Sequence, residues 1–185
     1  MKAVFLRTCT LFLAASLAAC STTGGGGDAA GGPEVTTTHL GQQIARGPIA
    51  VEAFDQADAN NPEFGSYASS VAQQLTRLGW TVVTPPTRSE QVALVDVQQG
   101  SRASLASRIG VPGAAAAAGA SANLATSLDV RIRRRSDGSV IWEGRAVSDA
   151  PASSAAAGRP AAVQALAAAL FRDFPGISGR TIRAR

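Results

Sequence analysis

The chain has 185 residues, with 17 Lys+Arg against 13 Asp+Glu, one histidine and two cysteines. That length suffices for one domain with a sizeable core. A lone histidine excludes a His-rich zinc centre and restricts any Ser-His-Asp triad to His39, with no Gly-x-Ser-x-Gly elbow to support one.

The N-terminus carries Lys2 and Arg7, followed by a mostly apolar run from Thr8 to Ala19. About a dozen residues fit the apolar core of a signal peptide and fall short of the ~20 that span a bilayer. Leu17-Ala18-Ala19-Cys20 then reads as a lipobox: small residues precede a cysteine whose thiol takes a diacylglycerol thioether before cleavage. An ordinary secretory signal with Cys20 a plain thiol is the blander alternative, disfavoured because the thiol follows the small pair directly. One acyl chain holds only marginally and two or three hold firmly, so residues 1–19 are expected to be removed and Cys20 to anchor the rest. Ser21 at the next position matches the outer-membrane sorting default, where Asp would favour retention in the inner membrane.

Cleavage changes the charge. Lys2 and Arg7 belong to the signal, so the 17 basic residues fall to 15 against 13 acidic ones, a net of about +2. Cys9 leaves with the signal and Cys20 carries lipid, so no disulfide is expected and stability must come from packing. Residues 20–38 are the lipidated cysteine followed by Gly, Thr, Ser and Ala with Pro33, and read as a tether. Its r.m.s. span would be ~20–25 Å and its extended reach roughly 60 Å.

The folded domain is expected over residues 39–183. Ile49, Val51 and Ala53 alternate, which predicts a strand over Pro48–Phe54. A polar loop leads to Asn61-Pro62, where Asn caps a helix and Pro fills its first position. Phe64, Ala68, Val71, Leu75 and Leu78 form its apolar stripe, and Gly79 stops it. Strands follow at Trp80–Thr84 and Gln91–Gln98. Gly100–Asn123, with five consecutive alanines and no apolar stripe, is expected to be a long, irregular connection.

Leu124–Asp149 predicts a hairpin about Ser136-Asp137-Gly138. A two-residue loop would pair Ile132 with Glu143 and put a carboxylate in the core row. A three-residue loop with Gly138 left-handed pairs Ile132 with Trp142, Val130 with Gly144 and Leu128 with Ala146. The same register sets Arg131 against Glu143 and Asp129 against Arg145 on the other face, so it satisfies both sides. Pro160 opens a second helix bearing Val163, Ala167, Leu170 and Phe174 on one side, ended by Pro175-Gly176. Thr181 and Ile182 suggest a short terminal strand, with Arg183–Arg185 fraying. The fold expected is a single α+β domain, a largely antiparallel sheet with two helices packed on one face.

No catalytic set, metal centre or cofactor motif emerges. Trp80 and Trp142 fall in core strands, and Gly24–Gly27 lacks the flanking strand and helix of a phosphate loop. Arg131, Arg133 and Arg135 form the one charge cluster that suits an anionic partner, although a solvated, paired strand face is the simpler account. Nucleic acid is excluded by compartment.

Several segments together resemble the DUF4136-like family of bacterial lipoproteins, a domain of unknown function. They are His39-Leu40-Gly41, Ile44-Ala45-Arg46-Gly47, Arg77-Leu78-Gly79-Trp80, Arg131–Gly138, Ile141–Ala146, Leu170–Gly176 and Ser178–Thr181. The resemblance implies a cell-envelope lipoprotein with no known activity and carries over no functional residue except Cys20. The expectation is an outer-membrane, lipid-anchored, non-enzymatic binding or scaffolding module facing the periplasm, with an envelope protein as partner. The alternative is direct binding of peptidoglycan or anionic lipid through the arginine face.

Overall fold

The computed structural model describes residues 32–84, 89–109 and 123–184. Cys20 and Ser21 lie outside these residues, as does most of the expected tether.

Seven strands form one sheet: β1 (Glu34–His39), β2 (Pro48–Ala53), β3 (Thr81–Val82), β4 (Gln91–Gly100), β5 (Asn123–Arg134), β6 (Val140–Pro151) and β7 (Thr181–Arg183). Their spatial order is β3-β2-β4-β5-β6-β1-β7. The described helices are α1 (Gln56–Ala59), α2 (Phe64–Arg77), α3 (Arg102–Ile109) and α4 (Arg159–Arg172).

The α+β class holds, with two corrections. The sheet is mixed rather than largely antiparallel: β2 runs parallel to both β3 and β4, while β4, β5, β6, β1 and β7 alternate. The parallel part follows from the β2–α2–β3 crossover, since a helix between two strands returns the chain in the same direction. The described residues also hold four helices, not two.

The hairpin register is the one expected. Ile132 pairs with Trp142, Val130 with Gly144, Leu128 with Ala146, Arg131 with Glu143 and Asp129 with Arg145. The tip differs in detail. Arg133 pairs with Val140, and the Arg134 N–H donates to the Ser139 carbonyl at 2.9 Å. The loop is therefore one residue longer than expected, and a bulge before Trp142 restores the register. Gly138 is left-handed at φ 71°, as its place in the turn requires. Asp137 braces that turn: its carboxylate accepts from the Ser139 backbone N–H at 3.0 Å, and its acidity is strengthened to a pKa of about 2.

α2 and α4 pack on one face of the sheet. Tyr67, Val71 and Leu75 of α2 meet Ile49, Val95 and Val130 in the core. Val163, Leu166, Leu170 and Phe171 of α4 cover Leu128, Trp142 and Ala146. Trp142 has no exposed surface; its ring lies 5.4 Å from Phe171 and 5.1 Å from Phe174, and its indole N–H donates to the Pro175 carbonyl at 3.0 Å. Trp80 is likewise buried and meets Phe174 edge-on at 5.3 Å. Both tryptophans are core residues.

Three segments depart from the sequence expectation. Residues 34–38, assigned to the tether, belong to β1, which lies between β6 and β7 with Val35 and Thr37 buried. The domain therefore begins before His39. Residues 102–109, assigned to an irregular connection, form α3, whose first turn is capped by Ser101: its hydroxyl accepts from the Ser104 N–H at 3.1 Å. The alanine run that follows lies outside the described residues. The segment expected to be a polar loop holds the single turn of α1, capped by the Asp55 carboxylate. α2 begins at Phe64 with Glu63 at its cap position, not at Pro62 with Asn61 as cap; Asn61 accepts from the Glu63 N–H at 2.9 Å.

Candidate functional site

The face of the sheet turned away from α2 and α4 carries the ionisable residues. Strand alternation fixes this: with Leu128, Val130 and Ile132 in the core, Ser127, Asp129, Arg131 and Arg133 project to the other side. Glu143 and Arg145 of β6 and Glu34 and Thr36 of β1 project to the same side.

The structure brings Arg131 and Arg133 to this face, on β5, and sets Arg135 just beyond the strand end. Two of the three are paired. The Arg131 Nε donates to Glu143 Oε1 at 3.0 Å, and its guanidinium lies 4.6 Å over the Phe54 ring. Arg135 pairs with Glu52 of β2 and donates to the Ser89 hydroxyl at 3.4 Å. Arg133 makes no ion pair among the described residues. The cluster is thus mostly a neutralised surface rather than a concentrated positive field.

Asp129 is the most buried ionisable residue of this face. Arg145 donates to its Oδ1 through Nε, and the Ser127 hydroxyl donates to Oδ2 at 2.8 Å. Burial nevertheless holds its carboxyl above the ordinary range, against the pull of Arg145. Asp96, its register partner on β4, is also raised by burial, while the Gln98 amide, donating at 3.0 Å, acts in the opposite direction.

α3 packs against β4 and β5, and its side chains, with those of β6, β1 and β7, line a cleft of about 390 Å³. Its roof is Arg102, Leu105 and Ala106; its floor includes Thr36, Glu143, Arg145 and Val147. Arg102 fastens the roof by donating to Glu34 at 2.5 Å and to Asp149 at 2.8 Å. Arg183 of β7 reaches the other oxygen of Glu34 at 3.0 Å. Burial would raise the Glu34 carboxyl, but the two guanidinium groups together hold it below its usual value. Sequence reasoning missed this cleft, because Glu34 stood in the tether and Arg102 in the irregular connection. Neighbours on different strands leave no local spacing to read; only the Ser101 cap marked the helix.

His39 ends β1 and serves the architecture. Its Nδ1 accepts from the Gly41 N–H at 3.1 Å and its Nε2 lies 3.2 Å from the Gly176 carbonyl, which assigns the proton to Nε2. Among the described residues no three His, Cys, Asp or Glu side chains cluster as metal ligands, and no helix is long and apolar enough to cross a membrane.

No family model matches the chain. An uncharacterized protein of Zymomonas mobilis, ZMO1243, is 24% identical over an alignment of 208 residues that covers 80% of this chain and 78% of the relative. Among solved structures, the PelC dodecamer from Paraburkholderia phytofirmans covers 74% of this chain and 92% of its own at 17% identity, with a TM-score of 0.46. A PDZ domain protein from Parabacteroides distasonis shares the fold more closely, at a TM-score of 0.53 and 14% identity over 83% of this chain. The match spans only 39% of that protein's length.

Proposed function

We propose that the chain is an outer-membrane lipoprotein whose domain faces the periplasm and acts as a non-enzymatic binding or scaffolding module of the cell envelope. The resemblance to DUF4136-like lipoproteins supports the envelope location and implies no known activity. The observation that carries it is Leu17-Ala18-Ala19-Cys20 behind a short basic and apolar leader. Arg131 with Glu143 and Arg145 with Asp129 pair across the outer sheet face, a polar surface open to a partner. Mass spectrometry of the mature protein tests the anchor. The N-terminal peptide should begin at Cys20 with a diacylglycerol thioether, and Cys20→Ala should leave the precursor unprocessed. A mature chain starting elsewhere, or one washed free with the soluble fraction, would overturn the reading. Ser21→Asp should shift the protein toward the inner membrane on fractionation.

A second reading, direct binding of peptidoglycan or anionic lipid, draws on Arg133, which has no acidic partner among the described residues. Co-sedimentation with sacculi and with anionic vesicles tests it. An Arg133→Ala/Arg135→Ala variant should lose binding, and added salt should weaken whatever the native chain binds.

A further inference from the structure

Glu143 and Arg145 stand two residues apart on the same side of β6, both lining the cleft under α3. Same-side neighbours on a strand have Cα atoms about 7 Å apart, and Arg131 and Asp129, the partners of the two side chains, are spaced likewise on β5. Each charge is engaged from one side only. Glu143 accepts from Arg131 through Oε1, and Arg145 donates to Asp129 through Nε. Among the described residues, Glu143 Oε2 and the Arg145 Nη groups have no hydrogen bond. A guanidinium bound through Nε can still receive a second carboxylate across its two Nη groups, and a half-used carboxylate can still accept an ammonium.

The rest of the cleft suits a small organic ligand. Its volume of about 390 Å³ falls within the range of small-molecule sites. Leu105, Ala106 and Val147 supply apolar wall, and Thr38 and Thr181 add hydroxyls at the floor. The four ionised lining residues, Glu34, Arg102, Glu143 and Arg145, sum to zero charge, so no net field draws in a polyanion or polycation. Opposite charges at fixed spacing in a neutral cleft select a ligand carrying the complementary pair.

We propose that this cleft binds a small zwitterion whose ammonium and carboxylate are about 7 Å apart, the spacing set by the strand. The ammonium faces Glu143, the carboxylate faces Arg145, and the linking atoms lie against Leu105 and Val147. An extended dipeptide and an extended six-carbon ω-amino acid both come near this charge spacing. The site stands whether or not Cys20 carries lipid.

Calorimetric titration of the detergent-solubilised full-length protein tests the proposal. The probes are alanyl-alanine in its L,L and D,D forms and 6-aminohexanoate, with hexanoate and hexylammonium as singly charged controls. At least one zwitterion should bind one-to-one, about tenfold or more tighter than either control. Preference for a dipeptide would assign the source to peptides, and preference for 6-aminohexanoate to ω-amino acids. Glu143→Gln should weaken binding about tenfold while lowering the thermal midpoint no more than Arg131→Met does, and Leu105→Trp, which fills the cleft from its roof, should abolish binding. The absence of binding by every zwitterion up to about 10 mM, equal binding of a control, or native affinity in either variant would overturn the proposal.

Discussion

Asp96 and Asp129 are register partners on β4 and β5, so two carboxylates face each other across neighbouring strands on one side of the sheet. Like charges placed so are destabilising, and both carboxyls are held above the ordinary range, with burial the leading cause in each. Asp55 and Asp58 add to the repulsion at Asp96, while Gln98 and Arg131 oppose it. A folded-state pKa above the unfolded value means that folding favours the protonated acid. The penalty is therefore full at neutral pH and is relieved as pH falls through the raised values. Asp96→Asn retains an acceptor for the Gln98 amide and removes the charge. It should raise the thermal midpoint at neutral pH and flatten the stability profile between about pH 4 and 7. Thermal melts across that range check it; a variant less stable at neutral pH with the native slope would contradict the account.

Gly144 lets the Trp142 ring lie against its own strand. A Cβ there would fall 2.7 Å from Trp142 Cζ2 and 2.8 Å from Leu170 Cδ1, and closer still to Trp142 Cη2. Both neighbours belong to the core between β6 and α4, so neither can swing into solvent. Gly144→Ala should cost about 1–3 kcal/mol, the usual penalty for overpacking. Denaturant unfolding measures the loss, and near-ultraviolet circular dichroism should report the displaced indole.

The two hairpin ion pairs should differ in worth. Arg131 and Glu143 are each about a third exposed, at 35% and 37%, so Arg131→Met should cost under about 1 kcal/mol. Asp129 is only 10% exposed, and Arg145→Met would leave its carboxylate with the Ser127 hydroxyl and Asp96 opposite. That loss should be roughly 2–3 kcal/mol at neutral pH. It should shrink as pH falls, because the stranded acid takes up a proton. Urea melts of both variants at neutral and mildly acid pH separate the two cases.

The hairpin was legible because both of its faces constrain one register. Sliding it by a residue would bury Glu143, and the register that avoids this also matches Arg131 and Asp129 with opposite charges across the strands. β1 was not legible, because Val35-Thr36-Thr37-Thr38 continues a Gly- and Thr-rich run whose composition reads as a linker. Its β-branched residues also suit a strand, and only the partners on β6 and β7 decide between the two. The parallel pairing of β2 with β3 is implicit in the strand–helix–strand order. Of the charge pairs on the outer face, those within the hairpin followed from its register. Glu52 with Arg135, and Arg102 with Glu34 and Asp149, join segments far apart in the chain, where no local period points from one to the other.

Arg102 is the fastening of α3. The helix has eight residues and buries Leu105 and Ala106, too little for it to persist without packing. Arg102→Ala would remove its bonds to both Glu34 on β1 and Asp149 on β6. All three side chains are about a third exposed, so the cost to global stability should stay near 1 kcal/mol. The local effect should be larger: amide exchange in residues 102–109 should speed up while α2 and α4 keep their protection. The change is also tied to pH through Glu34. Its lowered pKa makes its contribution fully present above the ordinary value of 4.5, and that contribution is lost as pH falls through the depressed folded value. Arg102→Ala should move the Glu34 carboxyl back up, leaving Arg183 as its cation. Native α3 should therefore loosen selectively in acid, while α3 in the variant is already loose at neutral pH. Hydrogen exchange read by mass spectrometry at two pH values measures this, and equal protection of α3 in both proteins would show that Arg102 does not hold the helix.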